Sequence, residues 1–378
     1  MNSNLLLMEQ PIISPVSIDL IKAELTPARK LRDTNKSKNE IYVIDHHNSP
    51  NVMREIGRLR EEAFRDSGGG SGLEMDIDEF DTMENPYQQL IVWDPEAEKI
   101  LGGYRYILGS DIKLDENGQP LLATAHMFHF SERFVNEYLP YTIELGRSFV
   151  APEYQSSKAG TKALFALDNL WDGLGALAIQ HPNMRYFFGK MTMYPEYNRE
   201  ARDLIQHFLF KHFEDKDKLV VPMEPLVIET PVEKMDAILT ETEFKEDYKL
   251  LNAEVRRLGV NIPPLVNSYM SLSPTMRMFG GGVNHEFSEA EETCIMISFD
   301  DIYDAKKARH IDSFIKEKVE TVRKRFPVFA ENMGDNLTDM ISQKRSQVQA
   351  RVQERRRKRR EKRLTRRNNR KSARKSDE

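Results

Sequence analysis

A chain of 378 residues, 39% of them hydrophobic and 30% charged, excludes a wholly disordered protein, a collagen-like fibre and a multi-span membrane protein. Its single cysteine, Cys294, excludes an intramolecular disulfide framework and a cysteine-based zinc cluster. The net charge of −5 is unevenly spread: residues 344–378 carry 17 basic and 4 acidic side chains, a local +13, which leaves −18 on residues 1–343.

The N-terminal run MNSNLLLMEQPIISPV lacks a basic region and makes a poor secretory signal. No window offers the ~18–20 uncharged apolar residues that a spanning helix needs, so contact with lipid is expected only from the surface. Residues 1–40 read as an arm. Ile41 to Ile44 reads as a short strand, and Asn51 as the cap of a helix reaching about Arg65, with Val52, Ile56, Leu59 and Ala63 at helical spacing. SGGGSG at 67–72 ends it in a mobile loop, followed by an acidic stretch from Glu74 to Glu84. Gln88–Trp93 and Ile100–Leu108 read as a hairpin around Asp94-Pro95-Glu96, and Tyr141–Val150 as another strand. Ser157–Ile179 is helical in pattern, Tyr186–Met193 a strand and Glu196–Phe210 a helix.

Lys245–Leu258 reads as a helix, and Ile262-Pro263-Pro264-Leu265 opens a segment that reaches Met278. GGG at 280–282 reads as a flexible turn, Thr293–Phe299 as β-like, and the chain from Ala305 onward as helical. The succession of strands, helix, strand, helix predicts a mixed α/β (α+β) fold with a helical C-terminal extension. The boundaries expected are an arm over 1–40, a domain over 41–300, a helical extension over 301–343 and a basic tail over 344–378.

Within the strand YTIELGRSFV, alternation places Glu144 and Gly146 on one face and Leu145 and Arg147 on the other. A carboxylate in an apolar strand costs free energy unless it has partners. It is either an ion pair on an edge strand or a general base beside a substrate amine. Arg60 and Phe64 share a helix face, Asp78 and Asp81 flank Phe80 in DEFD, and Arg105 stands in LGGYRYIL. The strand leads through Pro152-Glu153-Tyr154 and QSSKAGTKAL into a helix, an arrangement that receives phosphate groups on backbone N–H donors.

In these residues the chain resembles the GNAT superfamily of acyltransferases. Within it, the chain looks like the branch of ornithine-lipid (hemolysin-like) N-acyltransferases, related to acyl-homoserine-lactone synthases. The resemblance spans about residues 41–300. It implies a centrally twisted sheet flanked by helices, and an acyl-transfer site lined by Arg60, Phe64, Asp78, Asp81, Arg105, Glu144, Arg147 and Phe149. Leu170–Leu174, Arg185–Gly189 and the Ile262–Tyr269 segment also resemble that branch. Where the superfamily's pyrophosphate loop has its first glycine this chain has Lys158, with Gly160 after it. That favours an acyl carrier protein as donor over acyl-CoA, with Lys158 on the phosphate.

The expected chemistry is aminolysis of a thioester. Glu144 acts as base, a backbone N–H beyond Arg147 stabilises the oxyanion, and Arg105 and Arg147 hold Asp78, Asp81 or an acceptor carboxylate. No cofactor is expected beyond the acyl-ACP or acyl-CoA co-substrate. The product is expected to be an N-(3-hydroxy)acyl amino acid, on ornithine or glycine, in aminolipid synthesis.

Cys294 reads as an inert core thiol, and the histidines (His46, His47, His126, His129) have no metal-site spacing. Phe187, Phe188, Tyr194, Tyr197, Phe208 and Phe210 read as core packing or as an acyl tunnel. Residues 344–375 suit an anionic membrane surface, an acidic carrier protein or nucleic acid. The membrane surface fits best, placing the protein in the cytoplasm at the membrane periphery. Two other readings remain: an autoinducer-type synthase, and a non-catalytic GNAT-fold protein that docks through its tail.

Overall fold

The computed structural model describes residues 9–155 and 161–325. Lys158, Gly160 and the basic tail lie outside the described residues. The chain divides into two compact units, 1–314 and 315–378; the described part of the second is the helical stretch from Ile315 to Arg325.

The strands are β1 (Lys30–Asp33), β2 (Glu40–Ile44), β3 (Gln88–Asp94), β4 (Lys99–Leu108), β5 (Phe128–Phe130), β6 (Thr142–Val150), β7 (Tyr186–Met193), β8 (Val220–Pro222), β9 (Arg277–Asn284) and β10 (Ala290–Ser298). The helices are α1 (Ile18–Glu24), α2 (Pro50–Asp66), α3 (Glu79–Thr82), α4 (Glu132–Glu137), α5 (Thr161–Gln180), α6 (Arg199–Phe213), α7 (Val232–Ile238), α8 (Phe244–Arg257), α9 (Pro264–Met270), α10 (Asp304–His310) and α11 (Asp312–Arg325).

Eight strands form one sheet in the order β1-β2-β3-β4-β6-β7-β10-β9, and β5 pairs with β8 in a small second sheet. Every pairing in the large sheet is antiparallel except that of β6 with β7. A parallel pair needs a long crossover, and α5 supplies it. One face of the sheet is covered by α5, against Leu90, and by α6, whose Gln206 reaches Thr293. The other face meets α2 and an aromatic cluster of Phe128, Phe130, Phe134, Phe188 and Phe279. This is the mixed, helix-flanked sheet expected of the GNAT fold.

Several expectations shift in detail. The stretch read as an arm contributes α1 and β1, and β1 pairs with β2. α2 opens at Pro50, which suits a first turn because it has no N–H to satisfy. Asn51 is not its cap; its side-chain amide donates to Glu24 Oε1 at 2.7 Å. The later helix read from Glu196 begins at Arg199, because Asn198 caps it by accepting from the Ala201 N–H at 3.0 Å.

The SGGGSG loop is tied down. The buried Glu61 carboxylate accepts from Ser71 N (2.9 Å), Ser71 Oγ (2.7 Å) and Gly72 N (2.8 Å). Gly280–Gly282 do not form a turn but lie within β9, paired with β10. The Ile262–Met278 segment divides into α9 and the start of β9.

β6 and β7 pair only from Thr142↔Tyr186 to Leu145↔Gly189. Gly189 is the last residue of that ladder, and a Cβ there would stand 2.6 Å from the Leu145 carbonyl oxygen. Beyond it the strands part: β6 continues with β4 and β7 with β10. In the same stretch β6 carries a bulge, since Arg105 faces Gly146 and Gly103 faces Phe149, leaving one residue on β4 opposite two on β6. Arg147, the first residue of that bulge, has a left-handed backbone with φ of 46°.

Candidate active site

A cavity of about 1280 Å³ fills the opening between β6 and β7. Phe64, Asp78, Arg105, Glu144, Arg147 and Phe149 all line it. Arg60 and Asp81 are fully buried and stand behind its wall.

The charged part of the wall is a cluster of three arginines and three aspartates. Arg60 holds Asp76 (Nε to Oδ2, 2.9 Å) and Asp81 (Nη1 to Oδ2, 3.3 Å). Arg105 Nη1 donates to both oxygens of Asp78 at 2.7 Å and to Asp81 Oδ2 at 3.2 Å. Arg147 closes the ring on Asp76 (3.2 Å) and Asp78 (3.4 Å).

The DEFD motif owes its shape to a reciprocal cap on α3. The Asp78 side chain accepts from the Asp81 N–H at 3.2 Å, and the Asp81 side chain accepts from the Asp78 N–H at 3.2 Å. Burial alone would raise the Asp81 pKa, but the guanidiniums of Arg60 and Arg105 overcome it and hold the carboxyl below its ordinary range.

Glu144 is 2% exposed. Tyr87 donates its phenol hydrogen to Oε2, and Thr124 Oγ1 donates to Oε1 at 2.8 Å. Burial pushes the Glu144 pKa up, against the two hydrogen bonds and the charges of Arg105 and Lys190. The carboxyl is therefore more basic than a solvated glutamate and faces the cavity.

Glu144 and Arg105 belong to a polar stripe across one sheet face. It runs from Gln89 (β3) through Arg105 (β4), Glu144 (β6), Lys190 and Thr192 (β7) and Glu292 (β10) to Asn284 (β9). Lys190 is ion-paired with Glu292, which also accepts from Asn284 Nδ2 at 3.0 Å and Thr192 Oγ1 at 3.3 Å. Burial would raise the Glu292 pKa, but Lys190, the Asn284 hydrogen bond and the charge of Arg147 together outweigh it, and the carboxyl stays below its usual range.

The rest of the wall is largely apolar and includes Met193, Tyr197, Val260, Pro263, Leu265 and Tyr269. Here the proline segment reaches the site, and the Tyr269 hydroxyl lies 3.3 Å from that of Tyr104. Among the aromatics singled out from the sequence, Phe187, Phe188 and Phe208 are buried in the core, Tyr194 and Tyr197 line the cavity and Phe210 is exposed. Cys294 is buried beside Lys190, Glu144 and Glu292, and burial pushes its thiol pKa well up. Among the described residues there is no cluster of metal-ligating side chains and no helix long and apolar enough to cross a membrane.

Sequence reasoning missed Asp76, Tyr87, Lys190, Glu292 and Phe287. Lys190 carried a usable signal, a charged side chain in a largely apolar strand, the same signal that marked Glu144; Glu292, beside Glu291 at the polar start of its strand, did not. Phe287 carried none, because only the fold brings it to Phe64 and Arg147.

A family model described as an acetyltransferase (GNAT) domain matches residues 59–164. The chain is 64% identical over 314 residues to a glycine N(alpha)-acyltransferase of Bacteroides thetaiotaomicron, a match covering 83% of this chain and 93% of the relative. A protein of the same name from Phocaeicola vulgatus is 63% identical over 314 residues, covering 83% of this chain and 96% of the relative. No solved structure matches the chain significantly.

Proposed function

This chain belongs to the GNAT N-acyltransferases, and on that footing we propose that it moves a long fatty acyl group from a carrier thioester to the α-amine of glycine. The observation that carries the reading is the placement of Glu144: a buried carboxyl of raised pKa, facing the cavity where β6 and β7 part. The names of the two relatives support glycine as the acceptor.

A protonated α-amine cannot attack a carbonyl. Glu144 takes its proton, directly or through one water, as the nitrogen closes on the thioester carbon. Peptide N–H groups at the β6 bulge stabilise the oxyanion. The C–S bond then breaks, the nitrogen gives up its second proton to the departing sulfur, the amide forms, and the thiol leaves on its pantetheine arm. The arginine–aspartate cluster keeps the wall around Glu144 rigid, and the apolar side by Met193, Tyr197 and Leu265 takes the acyl chain.

Lys158, standing where a glycine is usual, suits an acyl carrier protein as donor. Residues 344–375 suit attachment to an anionic membrane, where an N-acylated amino acid would enter aminolipid synthesis.

The test is lipid mass spectrometry of a host that lacks aminolipids and expresses the full chain. N-acylglycine is the expected new species. Its absence in the presence of folded protein refutes the reading. The Glu144→Gln variant is expected to lose about 10²- to 10⁴-fold in turnover, the range of a general base.

A further inference from the structure

The geometry points to Lys190 as the anchor for the α-carboxylate of the acceptor, forming with Glu144 a subsite for a zwitterionic α-amino acid. This rests on the reading that the acceptor is an amino acid.

The arginines that would ordinarily take a carboxylate are already matched. Arg60, Arg105 and Arg147 face Asp76, Asp78 and Asp81, three cations against three anions. An incoming carboxylate at Arg105 would compete with Asp78, held by two contacts of 2.7 Å.

Lys190 is differently placed. It lines the cavity, its side chain is 15% exposed, and its protein contacts there are the Glu292 carboxylate and the soft Met127 Sδ at 3.6 Å. An ammonium has three donors, so Lys190 keeps capacity for a second anion. Glu292 acts as its mount. Asn284 and Thr192 fix that carboxylate, which holds the ammonium at the cavity wall.

The Lys190 charge acts on the Glu144 carboxyl across the cavity wall, so one small ligand can meet both groups. In an α-amino acid one carbon separates amine from carboxylate. Lys190 stands one strand across and two residues along from Glu144, on the same face of the sheet. A carboxylate held by Lys190 presents its amine toward Glu144. Gly146, next on that face of β6, also lines the cavity and leaves the floor beside the two groups bare of side chain.

The test compares glycine with glycinamide, which keeps the amine and loses the carboxylate charge, on the full-length protein and on Lys190→Met. Because that change strands Glu292, the double variant Lys190→Met/Glu292→Gln is measured beside it. Binding is followed by NMR titration of labelled glycine, and turnover by thiol release from an acyl carrier protein thioester.

Wild type is expected to bind glycine about 30- to 5,000-fold more tightly than glycinamide, the range for truncating a buried charge contact. Both variants are expected to lose that preference, with the KM for the acyl donor unchanged. A folded variant that still prefers glycine by the wild-type factor overturns the assignment and leaves the proposed function standing. Wild type that binds glycine through Lys190 yet transfers no acyl group keeps the subsite and refutes the function. Wild type that binds no amino acid refutes both.

Discussion

The guanidinium carbon of Arg147 lies 4.6 Å from the centre of the Phe287 ring, and that ring stands edge-on to Phe64 at 5.2 Å. The turn between β9 and β10 is thereby joined to the end of α2 across the cavity mouth, with Ser288 Oγ donating to the Gly70 carbonyl at 2.9 Å as a second link. Phe287→Ala is expected to lower stability by about 3 kcal/mol, at the low end for a buried aromatic because one side of the site is open. Phe287→Leu restores apolar volume without the cation–π contact. Its melting temperature is expected to recover further than its kcat/KM for the acyl donor. Equal recovery of both would mean that the ring serves packing alone.

Tyr87→Phe addresses the proton balance of Glu144. Burial raises the pKa of this carboxyl, and the Tyr87 hydrogen bond works against that rise. Removing the phenol hydroxyl therefore lifts the pKa further, and the rising limb of the pH–rate profile is expected to move to higher pH. Thr124→Val acts in the same direction. The sign for stability follows: a carboxyl with a raised folded-state pKa favours the folded protein while protonated, and that contribution is lost as pH rises through the folded value. Glu144→Gln should flatten this part of the stability curve. An unmoved rate limb in Tyr87→Phe assigns the limb to another group.

Asp81 lies at the opposite electrostatic extreme. Burial pushes its pKa up, yet Arg60 and Arg105 bring it below the ordinary carboxylate range. Its contribution is thus present above the unfolded value and lost as acid titrates the folded carboxylate. Asp81→Asn leaves two buried guanidiniums short of an anion, at an expected cost of about 3–5 kcal/mol near neutral pH. Denaturant unfolding at a series of pH values checks this, because the difference from wild type should narrow below about pH 4. A difference independent of pH would mean that the loss comes from the α3 cap.

Gly189→Ala places a methyl group against the Leu145 carbonyl oxygen at the last rung of the β6–β7 ladder. Backbone cannot swing away as a side chain can. The expected outcome is about 1–3 kcal/mol of destabilisation, typical of overpacking, together with a fall in kcat as the rung beside Glu144 shifts. Thermal denaturation and steady-state rates read both. An unaffected kcat would show that the apex of the opening tolerates displacement.

Part of this site was legible in its strands. Alternation along the Glu144 strand separated Glu144 from Leu145 and Arg147, a carboxylate in an apolar strand announced itself, and the family resemblance pointed to Arg105. Where glycine stands, the pattern is silent. Gly280–Gly282 read as a turn because nothing local shows that Leu226 covers the strand at Gly281, where a Cβ would meet its side chain at 2.6 Å. The partnership of Lys190 with Glu292 spans about a hundred residues of chain and depends on β7 and β10 being neighbours. No window of sequence contains that fact. The arm was misread for the same reason, since β1 acquires its role only through β2.

An enzyme that handles activated acyl groups risks acylating itself, and the residue most exposed to that risk is a free thiol. This chain carries one cysteine, Cys294, and the fold seals it in the sheet with its pKa driven upward by burial. The thiol is neither accessible nor ionised at neutral pH, and both are required for exchange with a thioester. Thioester exchange onto the protein's own thiol is thereby closed as a side reaction. The same burial should leave Cys294 of the folded protein unreactive toward thiol-alkylating reagents and peroxide.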